Sequence, residues 1–244
     1  MTNPAAELRS FFRAALVDRV ERGPRPPDTP RARLRRRVVV GVTVVAGAVG
    51  LGAALSIRPG DPLFYAATLG MAVLWTVGAF ASGPIHLGRA RTRDGRTSRS
   101  VLHGFLLGGL LLAIFLAGAV LVGMVPVLRA PVQSLLDHAR FGSLLVVLVI
   151  TAINGVAEEL FFRGAVYAAL PRPWAIAGTT VLYALSTVFS GVALLTFAAA
   201  CVGLLTTLQR RVTGGVLGPI TSHLTWSLGM LLLLPSALAL GQSL

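Results

Sequence analysis

The stretch Ala157-Glu158-Glu159-Leu160-Phe161-Phe162-Arg163-Gly164 decides how this chain is read. It puts two adjacent carboxylates and an arginine inside a run, 142–169, that otherwise has the composition of a membrane span. Taking an ionisable side chain into hydrocarbon is costly, so one that persists there is expected to have a partner and a task. The spacing supplies the partner. Glu159 and Arg163 are four apart and share a helix face, where they can pair. Glu158 is turned about 100° away from Glu159 and can address a cavity or a substrate. One carboxylate held and a second left available is the arrangement a general base requires.

The rest of the composition agrees with a membrane setting. The chain has 244 residues, 55% apolar and only 13% charged, with a mean hydropathy of +0.77. A soluble domain carries about 25% charged residues. The expected fold class is therefore all-α, a polytopic transmembrane helical bundle. A span needs about 20 apolar residues, and the runs 37–57, 63–83, 101–125, 142–169, 174–189, 192–209 and 215–240 predict about seven spans, within limits of six to eight. The fifth and sixth are short and separated only around Ser190-Gly191, as in a tight hairpin or a partly re-entrant pair. The single cysteine, Cys201, lies in an apolar run and reads as a packed core thiol. The glycines Gly108, Gly109, Gly118 and Gly123, and likewise Gly41, Gly47, Gly50 and Gly52, suit close helix packing.

The net charge is +13, and all 22 basic residues are arginines. They flank the apolar runs, so the positive-inside rule accounts for them and a nucleic-acid partner is not expected. With the N-terminus inside, inner segments hold 19 arginines, while only Arg58, Arg129 and Arg140 lie outside. This predicts an integral protein of a bacterial plasma membrane with a cytoplasmic N-terminus and inner loops at 84–100 and 210–214. Three regions follow: a basic segment 1–37, an N-terminal membrane region 38–141, and a membrane core 142–244. Within the first, Leu8, Phe11, Phe12, Ala15 and Leu16 are spaced as the apolar face of a helix, with Arg9, Arg13, Arg19 and Arg22 between or beyond them. Such a segment either lies on an anionic leaflet or is a solvated tail. Pro24, Pro26, Pro27 and Pro30 read as a stiff linker, and the late, long first apolar run argues against a cleaved signal peptide.

Two further groups in the last hundred residues could carry chemistry. His223 and Ser227 share a face of the last span, and His223 is the histidine set deep in an apolar run; His86 and His138 read as loop residues and His103 as a span end. Ser186 and Thr187 close the fifth run, where back-bonding to their own helix competes with contact to a neighbour. A catalytic zinc wants three protein ligands and a water. Glu158 and His223, with Glu159, are what the sequence offers, so the cofactor is either none or a divalent metal such as zinc.

The motifs resemble the CAAX protease and bacteriocin-processing family of intramembrane proteases, also called the abortive-infection family. Its E-E-x-x-x-R motif is met by Glu158, Glu159 and Arg163, and the following FRGAVYAAL is similar to the family as well. Its last motif, from an R-x-T-G turn to H-x-x-x-N, is matched in RRVTGGVLGPITSHLTWS at Thr213, Gly214, Pro219, Ile220 and His223. Two positions depart. The second motif, F-x-x-x-H, reads Tyr183 and Thr187 here, and the final asparagine is Ser227. The resemblance implies an intramembrane endopeptidase acting on a membrane peptide or protein. Glu158 would be the general base, Glu159 its partner or acid, and Arg163 the charge anchor. His223 and Ser227 would be donors to the oxyanion or leaving group, with Thr187 in the place of the water-holding imidazole. The loss of that imidazole leaves a second reading open: a catalytically degenerate relative acting as a non-enzymatic binding or immunity-type membrane protein.

Overall fold

The structure is a computed structural model that describes residues 3–20, 28–91 and 96–244. It is an all-α polytopic bundle, with strand confined among the described residues to one two-residue pairing. Among the described residues six helices are each long and apolar enough to cross a membrane: α2 (Pro30–Leu55), α3 (Pro62–Ser82), α4 (Val101–Met124), the continuous run Leu144–Ala169, α9 (Ala193–Thr213) and α10 (Leu217–Ser243). Arg22, Pro24, Pro26 and Pro27 lie outside the described residues.

The fifth expected span, 174–189, crosses the bundle but not as one long helix: Leu170 and Pro171 lie beside Arg36 and Arg37 at the start of α2, and Phe189 lies against Gly52 near its end. It forms α8, Ala175–Ser186, followed by a 3-10 turn at Val188–Ser190. Twelve helical residues rise only about 18 Å, so the flanking 3-10 turns, Arg172–Trp174 and Val188–Ser190, lengthen the crossing towards the ~30 Å hydrocarbon thickness. Gly191, at φ +71°, then reverses the chain into α9, against which α8 packs. The first span also differs from expectation. It begins at Pro30 because Thr29 caps it, its hydroxyl accepting from Ala32 N at 3.2 Å, and proline suits the first helical position. The arginines at 31–37 therefore sit on its first two turns.

A further helix, α5 (Pro126–Arg140), occupies the stretch between two expected spans. It corrects the placing of His138 in a loop. That residue is buried, its Nε2 is 3.0 Å from the Ile57 carbonyl oxygen, and its ring lies 4.2 Å from that of Phe64.

The N-terminal segment is helical: α1 (Pro4–Phe12) runs into a π turn at Arg13–Val17. It docks on the bundle. Val20 N donates to Val212 O at 3.1 Å, and the Phe11 ring meets His103 edge-on at 5.4 Å. The loop after α3 joins the same end. Arg89 N donates to Thr213 O, while Val216 N and Leu217 N donate to His86 O and Leu87 O, all within 3.0 Å. A short antiparallel pair, β1 (Ala90–Arg91) with β2 (Thr97–Ser98), lies beyond it in the register Ala90↔Ser98. Thus residues 3–20, 86–89 and 210–217 gather on one side of the bundle.

Close helix contact at small residues fixes α10 on α4. A Cβ on Gly104 would stand 2.7 Å from Gly218 O, and one on Gly108 2.5 Å from Ser222 O. Such backbone approach is open only to glycine. Ser222 Oγ then donates to Gly104 O at 2.8 Å. Gly109 and Gly118, in contrast, face no neighbour, so only part of the glycine pattern is a packing signal. Behind the site, Trp75 of α3 packs on Phe161 and Phe162 at ring separations of 4.9 and 5.1 Å.

Candidate active site

The two glutamates end α6, Leu144–Glu159. The next seven residues, Leu160–Val166, are wound as a π-helix, closed by Tyr167 N donating to Phe162 O five residues back. Its residues Phe161 to Val166 are all buried. A π turn in a helix often marks a functional site because it re-aims the side chains around it. Here it is braced from α9. Arg210 Nε donates to the carbonyl of Arg163 at 2.6 Å, and its guanidinium lies 5.1 Å from the centre of the Tyr167 ring. Arg210 is therefore buried structure and not simply a flanking loop charge.

Glu159 and Arg163 are both fully buried, with Oε1 and Nη1 3.0 Å apart. The approach is that of an ion pair, but the N–H does not point along it, and the guanidinium nitrogens have no well-aligned acceptor. Arg163 is instead positioned partly by the Tyr183 ring, whose centre is 4.4 Å from Cζ. The same Glu159 oxygen lies 2.8 Å from Nδ1 of His223, which α10 delivers to the core. An Nδ1–H donated to a carboxylate leaves Nε2 of the neutral ring as an acceptor.

Glu158 is separate from this cluster. It is half-buried, and its hydrogen bond among the described residues comes from Tyr183 Oη, which donates to Oε2 at 2.7 Å. Tyr183 stands on α8 and also meets His223 edge-on, the ring centres 6.2 Å apart. The tyrosine thus stands between the Glu158 carboxylate and the imidazole. The sequence marked Tyr183 only as a departure from phenylalanine; its extra hydroxyl was the available signal for this contact.

Thr187 is one turn beyond Tyr183, but its hydroxyl is engaged with Ala184 O at 2.7 Å and Thr196 Oγ1 at 3.1 Å, not with Glu158. Ser227 and Trp226 follow His223 by four and three residues on α10. Ser227 Oγ and Trp226 Nε1 are both buried without a hydrogen-bond partner, which leaves two donors on the histidine's side of the helix. Trp226 was not anticipated; a polar ring atom three residues from a buried histidine was the clue.

Among the described residues, no three His, Cys, Asp or Glu side chains converge as metal ligands. Glu159 Oε1 and His223 Nδ1 are turned towards each other, and Arg163 shares that oxygen. This donor set does not fit a three-ligand zinc centre.

Residues 140–229 match the family model described as type II CAAX prenyl endopeptidase Rce1-like. The matched segment carries the resemblance read from the motifs. It includes Glu158, Glu159, Arg163, Tyr183, Thr187, His223 and Ser227, and it leaves residues 1–139 outside. No curated protein and no solved structure matches the chain.

Proposed function

We propose that this protein is an intramembrane endopeptidase in which Glu158 activates the attacking water. The observation that carries the proposal is the division of labour between adjacent carboxylates. Glu159 is enclosed by Arg163 and His223, while Glu158 stays half-exposed and is held through one oxygen. Glu158 takes a proton from water as the water oxygen bonds to the scissile carbonyl carbon. The charge that develops on the carbonyl oxygen is met by the unpaired donors Ser227 Oγ and Trp226 Nε1. As the C–N bond breaks, the departing nitrogen takes up a proton. His223 Nε2, the acceptor end of an imidazole oriented by Glu159, can relay that proton from Glu158. The substrate is a membrane peptide or protein, and the N-terminal side of the bundle faces the cytoplasm.

A second reading rests on its own observation. Tyr183 occupies one oxygen of Glu158, and Thr187, where the family has an imidazole, is turned to Thr196. A site so altered suits a catalytically degenerate relative that binds a membrane partner without turnover.

Cleavage by the purified full chain in proteoliposomes, against a library of prenylated and transmembrane peptides, separates the two. Endopeptidase activity that disappears in a folded Glu158→Gln variant supports the first reading. Absence of cleavage, together with a cellular phenotype unaffected by Glu158→Gln, supports the second.

A further inference from the structure

A cleft of about 370 Å³ opens between the first turns of α2 and the end of the glutamate-bearing helix, residues 168–171. Its polar wall is Asp28, Arg33, Arg36 and Arg37. Among the described residues three guanidinium groups face one carboxylate, which gives the cleft an excess of positive charge. Arg36 is more than nine-tenths buried, and its Nη2 pairs with Asp28 Oδ2 at 3.1 Å, yet its Nε is buried without a partner. The guanidinium fits there because Gly83, at φ +148°, has no side chain; a Cβ would come within 2.7 Å of Nη2. A buried, positioned donor beside two exposed arginines is more than a solvated charge run. It lies at the start of a membrane span, where the positive end of the α2 dipole adds to the same field.

We propose that this cleft binds a phosphate group, as presented by an anionic lipid headgroup or by a soluble phosphate. Arg33 and Arg37 would supply charge-assisted hydrogen bonds from the rim, and Arg36 Nε would supply a fixed donor from the wall. Asp28 tightens the orientation of Arg36 and leaves the site net positive. Basic clefts between helices on the cytoplasmic side of a membrane recognise phosphate headgroups in this way. The proposal is independent of whether the glutamate site hydrolyses peptides.

Native mass spectrometry of the full chain released from detergent tests it, with phosphatidylglycerol, phosphatidylcholine and inorganic phosphate as probes. The informative variant is Arg33→Gln/Arg37→Gln, since both residues are exposed and neither contributes to the core. Arg31→Gln/Arg35→Gln removes the same charge from the same helix away from the cleft. The expected result is selective retention of phosphatidylglycerol by wild type and by Arg31→Gln/Arg35→Gln. Affinity should fall about tenfold or more in Arg33→Gln/Arg37→Gln. Displacement of the lipid by inorganic phosphate assigns the soluble source, and persistence of the lipid assigns the headgroup; both uphold a phosphate site. Equal loss in the two double variants, unchanged retention in Arg33→Gln/Arg37→Gln, or equal retention of phosphatidylcholine overturns it.

Discussion

Tyr183 Oη donates to Glu158 Oε2 across 2.7 Å, so the residue that departs from the family's phenylalanine is tied to the proposed base. The phenol fills a lone-pair position on that carboxylate that an attacking water would otherwise take. Thr187, the other departure from the resembled motif, follows four residues later at the C-cap of α8.

This coupling predicts how activity responds to reversion. Thr187→His alone adds an imidazole while Tyr183 still holds Glu158. Tyr183→Phe with Thr187→His frees the carboxylate as well. Because a positioned acid–base group contributes about 10²–10⁴-fold, the double variant should cleave faster than wild type by at least about tenfold and faster than either single variant. Initial rates on a common peptide in proteoliposomes check this. A double variant no faster than Thr187→His would show that the tyrosine does not restrain the base.

The enclosure of Glu159 predicts a folding defect. Arg163 is fully buried, and Arg163→Ala would leave Glu159 with His223 as its remaining partner. Breaking a buried pair costs about 3–5 kcal/mol, and the retained imidazole places this case at the lower end. Arg163→Ala should lower membrane abundance and melting temperature more than Glu158→Ala, whose target is half-exposed. Equal abundance of the two variants in membranes would count against a structural role for the pair.

Sidedness is open to direct labelling. The N-terminal segment, residues 86–89 and residues 210–217 gather at one end, and the arginine distribution predicts that this end faces the cytoplasm. Residue 94 lies outside the described residues, so Ser98, which is exposed, is the better probe of the loop expected to be inside. Ser98→Cys should resist a membrane-impermeant maleimide in intact cells and react after lysis. Arg58→Cys, at the opposite end, should react in both. Labelling of Ser98→Cys in intact cells would reverse the assignment.

Much of this architecture could be read from residue spacing, and the failures have identifiable physical causes. The Glu159–Arg163 pairing follows from a four-residue interval, which brings side chains together whatever the tertiary fold. The run 174–189 could be read as apolar, but its winding as a short helix between 3-10 turns could not, because apolar composition does not report how a crossing is wound. The helix at 126–140 was hidden by Pro126 and Pro131, which usually punctuate loops; Pro126 instead opens the helix and Pro131 is accommodated within it. The π turn at Leu160–Val166 has no residue signature, and the Arg210 hydrogen bond that braces it comes from another helix. For the same reason the partner of His223 could not be read off the sequence. Which of two neighbouring glutamates meets an imidazole on α10 depends on how α10 seats against α4, and glycines Gly104 and Gly108 determine that.

The ion pair within the fourth long helix has a consequence for biogenesis. Its two charges are separated by a single turn of the same segment, so the segment brings its own counter-ion into the bilayer during synthesis. Its neutralisation does not wait for α9 and α10, which are made later and carry Arg210 and His223. A nascent chain truncated after residue 172 should therefore integrate its last helix efficiently. Arg163→Ala, which strands Glu159, should let a larger fraction of that truncated helix slip across unintegrated. Glycosylation-site mapping in microsomes would measure the difference, and equal integration of the two truncated chains would show that the pair forms only after the bundle closes.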